Sequence, residues 1–166
     1  KVKHKISSFK DKWTAEEYEN IIFKVFKNGY DYTLDSATFY CWHATKTERE
    51  VRDGIEKAGW HFSQTIIWLK ENIILALGQD YHRIYEPCYF GWKKGKKRYA
   101  ERKYTNKFRE VWMLDQHDFV EWLDVVYQKR DNLQDYIHAN KKPISLAERA
   151  IRKHSKEGDI ILEPFN

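Results

Sequence analysis

The chain has 166 residues, of which 42% are hydrophobic, 16% aromatic and 33% charged, and its formal net charge is +5. That length suits one domain with its own core, and so much apolar and aromatic surface excludes a disordered segment. Two cysteines without Cys-x-x-C or Cys/His spacing exclude a disulfide framework and a zinc site, and no apolar run approaches the roughly 18 residues of a membrane span. A reduced cytoplasm is the expected compartment, with no membrane partner. Residue 1 is Lys and the only methionine is Met113, so the chain is expected to begin inside a longer reading frame or after processing.

Thr14 with Glu17 three residues on has capping-box spacing, and Tyr18, Ile21, Ile22, Val25 and Phe26 follow at helical intervals, which predicts a helix to about Asn28. Residues 37–42, Ala-Thr-Phe-Tyr-Cys-Trp, read as a strand buried on both faces. Residues 45–58 place Val51, Ile55 and Ala58 on one stripe and stop at Gly59, as an amphipathic helix does. Residues 62–70 and 83–92 are rich in β-branched and aromatic residues and predict two more strands. The alternation of strand, helix and strand implies an α/β layer fold.

Nine basic residues then fall between positions 93 and 109: Lys93, Lys94, Lys96, Lys97, Arg98, Arg102, Lys103, Lys107 and Arg109, against one acid, Glu101. Such a local field suits phosphate, and the interleaved Tyr99, Tyr104 and Phe108 could stack on unpaired bases. A solvated loop kept soluble by its lysines is the plainer alternative. Residues 110–114 predict a short strand. The acidic stretch beyond it carries Phe119, Trp122, Leu123, Val126 and Tyr127 on one helical face. Pro143 is suited to a first helical position, and Ile144, Ala147, Ile151 and His154 recur at helical spacing. Lys153 and His154 suit the C-terminal end of that helix as cations. Gly158 allows a reversal into an apolar strand at residues 160–162, which runs into Glu163-Pro164-Phe165-Asn166.

Taken in order, Phe39-Tyr40-Cys41-Trp42-His43, Ile67-Trp68-Leu69-Lys70, Tyr85-Glu86-Pro87, Val111-Trp112, the run from His138 to Pro143, and the run from Glu163 to Asn166 resemble the S-adenosylmethionine-dependent DNA methylases that modify exocyclic amines. The resemblance covers nearly the whole chain. It implies a Rossmann-like methyltransferase sheet with helices on both faces, incomplete at both chain ends. The single domain would span residues 1–166, with residues 93–136 as a target-recognition insertion. In that family an Asp-Pro-Pro-Tyr catalytic motif stands upstream and an Asp-Pro-Phe-x-Gly-Ser-Gly cofactor loop downstream. The first would fall before Lys1 and the glycines of the second after Asn166, so no catalytic residue is assigned.

The resemblance implies S-adenosylmethionine as cofactor and double-stranded DNA as substrate, with adenine N6 ahead of cytosine N4 as the methylated amine. His138, Lys142 and Pro143 match the family's His-Pro-Thr-x-Lys-Pro pattern, whose lysine end lies near the methionine part of the cofactor; Ala139 and Asn140 depart from it. Glu163, Pro164 and Phe165 match Asp-Pro-Phe, with Asn166 next in line. His138, Asn140, Lys142, Pro143, Glu163, Pro164, Phe165 and Asn166 are therefore the implied cofactor residues, and the nine basic residues are the implied DNA contacts. Trp42 and His43 would border the target-base pocket, unless His43 is simply a satisfied surface residue. Glu86-Pro87-Cys88-Tyr89 echoes the catalytic motif but stands where the family has a separate Glu-Pro strand motif. The rival reading is a non-catalytic DNA-binding relic that keeps the basic segment without the chemistry.

Overall fold

The structure, a computed structural model, describes residues 12–74, 80, 83–102, 111–113 and 142–164. Helix α1 (Ala15–Tyr32) starts at the expected capping box, in which Thr14 accepts from the Glu17 amide at 3.1 Å and Glu17 accepts from the Thr14 amide at 2.9 Å. Strand β1 (Thr38–Trp42) follows, then a single 3-10 turn at Thr45–Thr47 and helix α2 (Glu48–Lys57). Gly59, at φ +97°, reverses the chain into β2 (Trp60–Ile74). Strands β3 (Arg83–Lys93) and β4 (Val111–Met113) and helix α3 (Ile144–His154) complete the described elements.

The four strands form one sheet in the order β1-β3-β2-β4. β3 is antiparallel to both its neighbours and β4 is parallel to β2, so β1, β2 and β4 point the same way. The expected α/β class and helices on both faces are present. The sheet of described strands is mixed and small, so the expected Rossmann-like sheet is seen only in part.

Side-chain parity assigns each face its cover. Phe39 and Cys41 of β1 and Tyr89 of β3 pack with Trp60 and Phe62 beneath α1 and α2, against Ile22, Val51 and Ile55. Trp60 also donates its indole N–H to the Phe26 carbonyl at 2.8 Å, which ties β2 to α1. The alternate residues Tyr40, Trp42, Cys88, Phe90 and Trp92 pack on the other face with Leu146 of α3. On β2, Trp60 and Phe62 serve the first face, yet Ile66 and Trp68 serve the second. A β-bulge resolves the parity: Phe62 pairs with Gly91 and Gln64 with Phe90, so Ser63 is an extra residue that turns the rest of the strand over.

Three expectations are corrected. Pro143 is the N-cap of α3, with extended ψ of 140°, and not its first helical residue. Helix α3 buries Leu146, at 2% exposure, and turns His154 inward, while Ile144 and Ile151 are left exposed. Both stripes have helical spacing, and the one headed by Leu146 wins because it meets the layer of Ile66, Trp68 and Phe90. Residues 160–162 are not a strand. Ile160 is 95% exposed, and these residues pair with no described strand, which is what an apolar run needs to become one. They accordingly do not pair with β1. The helix expected over residues 119–127 lies outside the described residues.

Candidate functional site

The C-terminal ends of β1, β2 and β4 share one edge of the sheet with the N-terminal half of β3. Open α/β sheets bind ligands at such an edge. Trp42 ends β1 opposite Cys88, and Trp68 of β2 stands opposite Glu86. The Trp42 and Trp68 rings meet edge to face at 6.1 Å. Lys142, one residue before the N-cap of α3, enters here: its ammonium lies 5.5 Å from the Trp42 ring centre and 3.2 Å from the Glu86 carboxylate. Lys70 pairs with the other oxygen of Glu86, and its ammonium lies 5.2 Å from the Trp68 ring. Burial works to raise the Glu86 pKa, but the hydrogen bond from Lys70 and the charge of Lys142 outweigh it and hold the carboxyl below its ordinary value. Together Lys70, Lys142 and Glu86 form a cluster with one net positive charge, walled by two indoles.

Two polar atoms near this edge, the Trp68 indole N–H and the Ser145 hydroxyl in the first turn of α3, are buried with no hydrogen-bond partner among the described residues. Glu163 lies close enough to β1 for its charge to reach Cys41, whose side chain packs on the face covered by α1 and α2. Burial first, and then the Glu163 charge, push the Cys41 thiol up to about 12. The structure thus brings Lys142 to the end of β1, with Pro143 next to it in the chain as the N-cap of α3. Pro164 follows Glu163 in an exposed turn. His138, Asn140, Phe165 and Asn166 lie outside the described residues.

Trp42 and His43 part company. His43 lies against the Tyr89 ring at 4.0 Å on the face of α2, where burial lowers its pKa and keeps it neutral. Tyr89 in turn donates its hydroxyl to Glu48 at 2.9 Å. Both residues stand at the same strand end, but only Trp42 shares a face of the sheet with Lys142.

The basic segment begins at the opposite end of the sheet. Trp92 pairs with Thr38 at the start of β1, four residues from Trp42, or about 13 Å at the rise of a strand. Lys93 is 3% exposed and donates to the Thr33 carbonyl at 2.6 Å, so its charge is committed internally. Lys96 pairs with Asp35 at 2.9 Å, and the Arg98 guanidinium lies 4.1 Å over the Trp92 ring. Tyr99 donates its hydroxyl to Glu101 and carries Lys156 over its ring at 4.7 Å. Lys94, Lys97 and Arg102 are exposed. Lys103, Lys107 and Arg109 lie outside the described residues, and the chain rejoins the sheet as β4, whose Met113 pairs with Leu69 at the Lys142 edge.

Sequence reasoning did not foresee that Lys70 and Glu86 meet Lys142 at this edge. Glu86-Pro87 was visible only as a strand motif and as an echo of the catalytic motif. The signal that could have found the pair is Glu86 itself, a carboxylate within a strand otherwise rich in aromatic residues, where burial demands a cationic partner.

The profile of a family described as DNA methylase matches residues 2–166. No curated protein matches. Among solved structures, the crystal structure of the M1.HpyAVI-SAM complex superposes with a TM-score of 0.63 at 17% identity, over 87% of this chain and 65% of that one. The crystal structure of M1.HpyAVI gives 0.60 at 16% identity, over 87% and 63%. The chain therefore spans slightly under two thirds of the length of these neighbours. At such identities the likeness is one of fold.

Proposed function

Because the chain belongs to the DNA methylase family of the N6/N4 type, we propose that it acts as an S-adenosylmethionine-dependent methyltransferase that modifies an exocyclic amine of double-stranded DNA, with adenine N6 as the favoured target. The observation that carries this reading is Lys142, which stands at the C-terminal edge of the sheet with its ammonium over Trp42. The donor set fits a polar, zwitterionic cofactor. Lys142 would meet its carboxylate, and the Ser145 hydroxyl and Trp68 N–H, which have no hydrogen-bond partner among the described residues, are available for polar contacts. Bound there, S-adenosylmethionine supplies an electrophilic methyl group on a sulfonium centre. The target base must leave the duplex stack to reach it, because its amine is otherwise paired.

Lys142→Ala in the full-length protein is expected to weaken S-adenosylmethionine binding about tenfold or more, since a charge-assisted hydrogen bond to a carboxylate contributes about 1.5–3 kcal/mol. Isothermal calorimetry measures this directly. An unchanged affinity would remove Lys142 from the cofactor site.

DNA is the proposed second partner. Lys94, Lys97 and Arg102 are the described basic residues best placed for its backbone, because Lys93 and Lys96 are bonded within the protein. Replacing Lys94 and Lys97 together by Ala should weaken DNA binding and reduce the slope of log affinity against log salt by about 2, one for each lost phosphate contact. A slope equal to that of the wild type would take both lysines out of the interface.

A further inference from the structure

We propose that Glu86 is a positioning residue for Lys142: its carboxylate, shared with Lys70, fixes the Lys142 ammonium over Trp42 at the C-terminal edge of the sheet. The inference rests on the reading of Lys142 as a cofactor residue and adds a residue to it.

The backbone aims Glu86 at this task. Strand parity puts its side chain on the face of Cys88 and Phe90, the face that α3 covers and from which Lys142 arrives. β1 ends opposite Cys88, so at the level of Glu86 that edge of β3 carries no β1 residue, and Lys142 occupies the space. Pro87 fixes the chain direction next to it, and its carbonyl accepts the His43 amide at 3.2 Å, which closes the end of β1. Lys142 itself precedes Pro143 and is thereby biased to an extended backbone, which directs its side chain away from the helix axis.

A lysine side chain alone at a strand edge would sample many rotamers. Here three constraints converge on one ammonium: the Glu86 oxygen at 3.2 Å, the Trp42 ring at 5.5 Å, and the Lys70 ammonium, which holds the other Glu86 oxygen and keeps the carboxylate from rotating freely. Lys142 and Glu86 are each about 30% exposed on their side chains, so solvent screens this pairing less than it does a surface pair. Glu86 therefore acts through Lys142.

A double-mutant cycle tests the proposal in the full-length protein, with S-adenosylmethionine titrated by calorimetry into wild type, E86Q, K142A and the double variant. E86Q should weaken binding about tenfold, within the range of coupling between residues in contact, and should have no further effect once Lys142 is gone. E86D, which keeps the charge and shortens the reach, should recover part of the loss. If E86Q fails to fold, the same cycle run with E86D decides. Equal effects of the Glu86 substitution with and without Lys142, or no effect of it on a protein that K142A does weaken, would overturn the positioning role alone. An unaffected K142A would overturn the cofactor reading on which it rests.

Discussion

Gly91→Ala should abolish the folded state. Gly91 sits in the middle of β3 between Phe39 of β1 and Phe62 of β2. A Cβ there would lie 2.0 Å from the His61 carbonyl oxygen and 2.6 Å from the Phe39 ring. The first neighbour is backbone, so relief requires opening the β2–β3 ladder, and the second is a buried ring wedged against Phe26 and Trp60. Overpacking that a side-chain shift can absorb costs about 1–3 kcal/mol; this clash should exceed about 4, a large part of the 5–15 kcal/mol that holds a domain together. Gly95→Ala is the control. Gly95 has φ +74° with nothing near its missing Cβ, so only the left-handed backbone of about 1 kcal/mol is at stake. Circular dichroism with urea titration separates the two, and a Gly91→Ala protein that melts like wild type would contradict the register of the central strand.

Mild acid should loosen α3 from the sheet. His154 stacks on Phe90 at 4.7 Å and its Nδ1 lies 2.6 Å from the Tyr40 hydroxyl. Burial, helped by the nearby charges of Lys153 and Arg98, lowers its pKa to about 4 from an ordinary 6.5, so the ring is neutral and accepts the Tyr40 proton. Burial also raises the Tyr40 pKa, which keeps that hydroxyl a donor. The unfolded chain protonates His154 first as pH falls. Its contribution to stability is therefore complete above about pH 6.5 and is lost progressively toward pH 4, by about 2 kcal/mol once partial exposure of the ring is discounted. Urea midpoints at pH 7 and pH 4.5 should diverge more for wild type than for His154→Phe. Equal divergence would show that His154 is not buried neutral.

Much of this architecture was legible in residue order. The Thr14–Glu17 capping box marks the start of α1, the run from Thr38 to Trp42 gives β1, and the Val51–Ile55 stripe closed by Gly59 gives α2. These signals are local, and local physics decides them. What was not legible depends on partners. The face chosen by α3 was misread because two helical stripes compete and only the aromatic layer beneath selects between them. Residues 160–162 have strand propensity but no described strand beside them. Composition counted Lys93 among the cations available to phosphate, yet it cannot say that a lysine is bonded to the Thr33 carbonyl and covered by Tyr30. The resemblance singled out Lys142, but the ion pairs that join Glu86 to Lys142 and Lys70 could not be read from the sequence, because they join positions far apart in the chain.

Ser63 gives β2 a tolerance to change that differs by kind. As the extra residue of a bulge it has no ladder partner on β3, so many side chains could take its place with little consequence. Its presence, though, is a matter of counting. Losing one residue between Phe62 and Ile66 would swing Ile66 and Trp68 out of the α3 layer and send their neighbours inward. Divergence at this point of the strand should run through substitution and avoid insertion or deletion, so that length here records ancestry better than identity does.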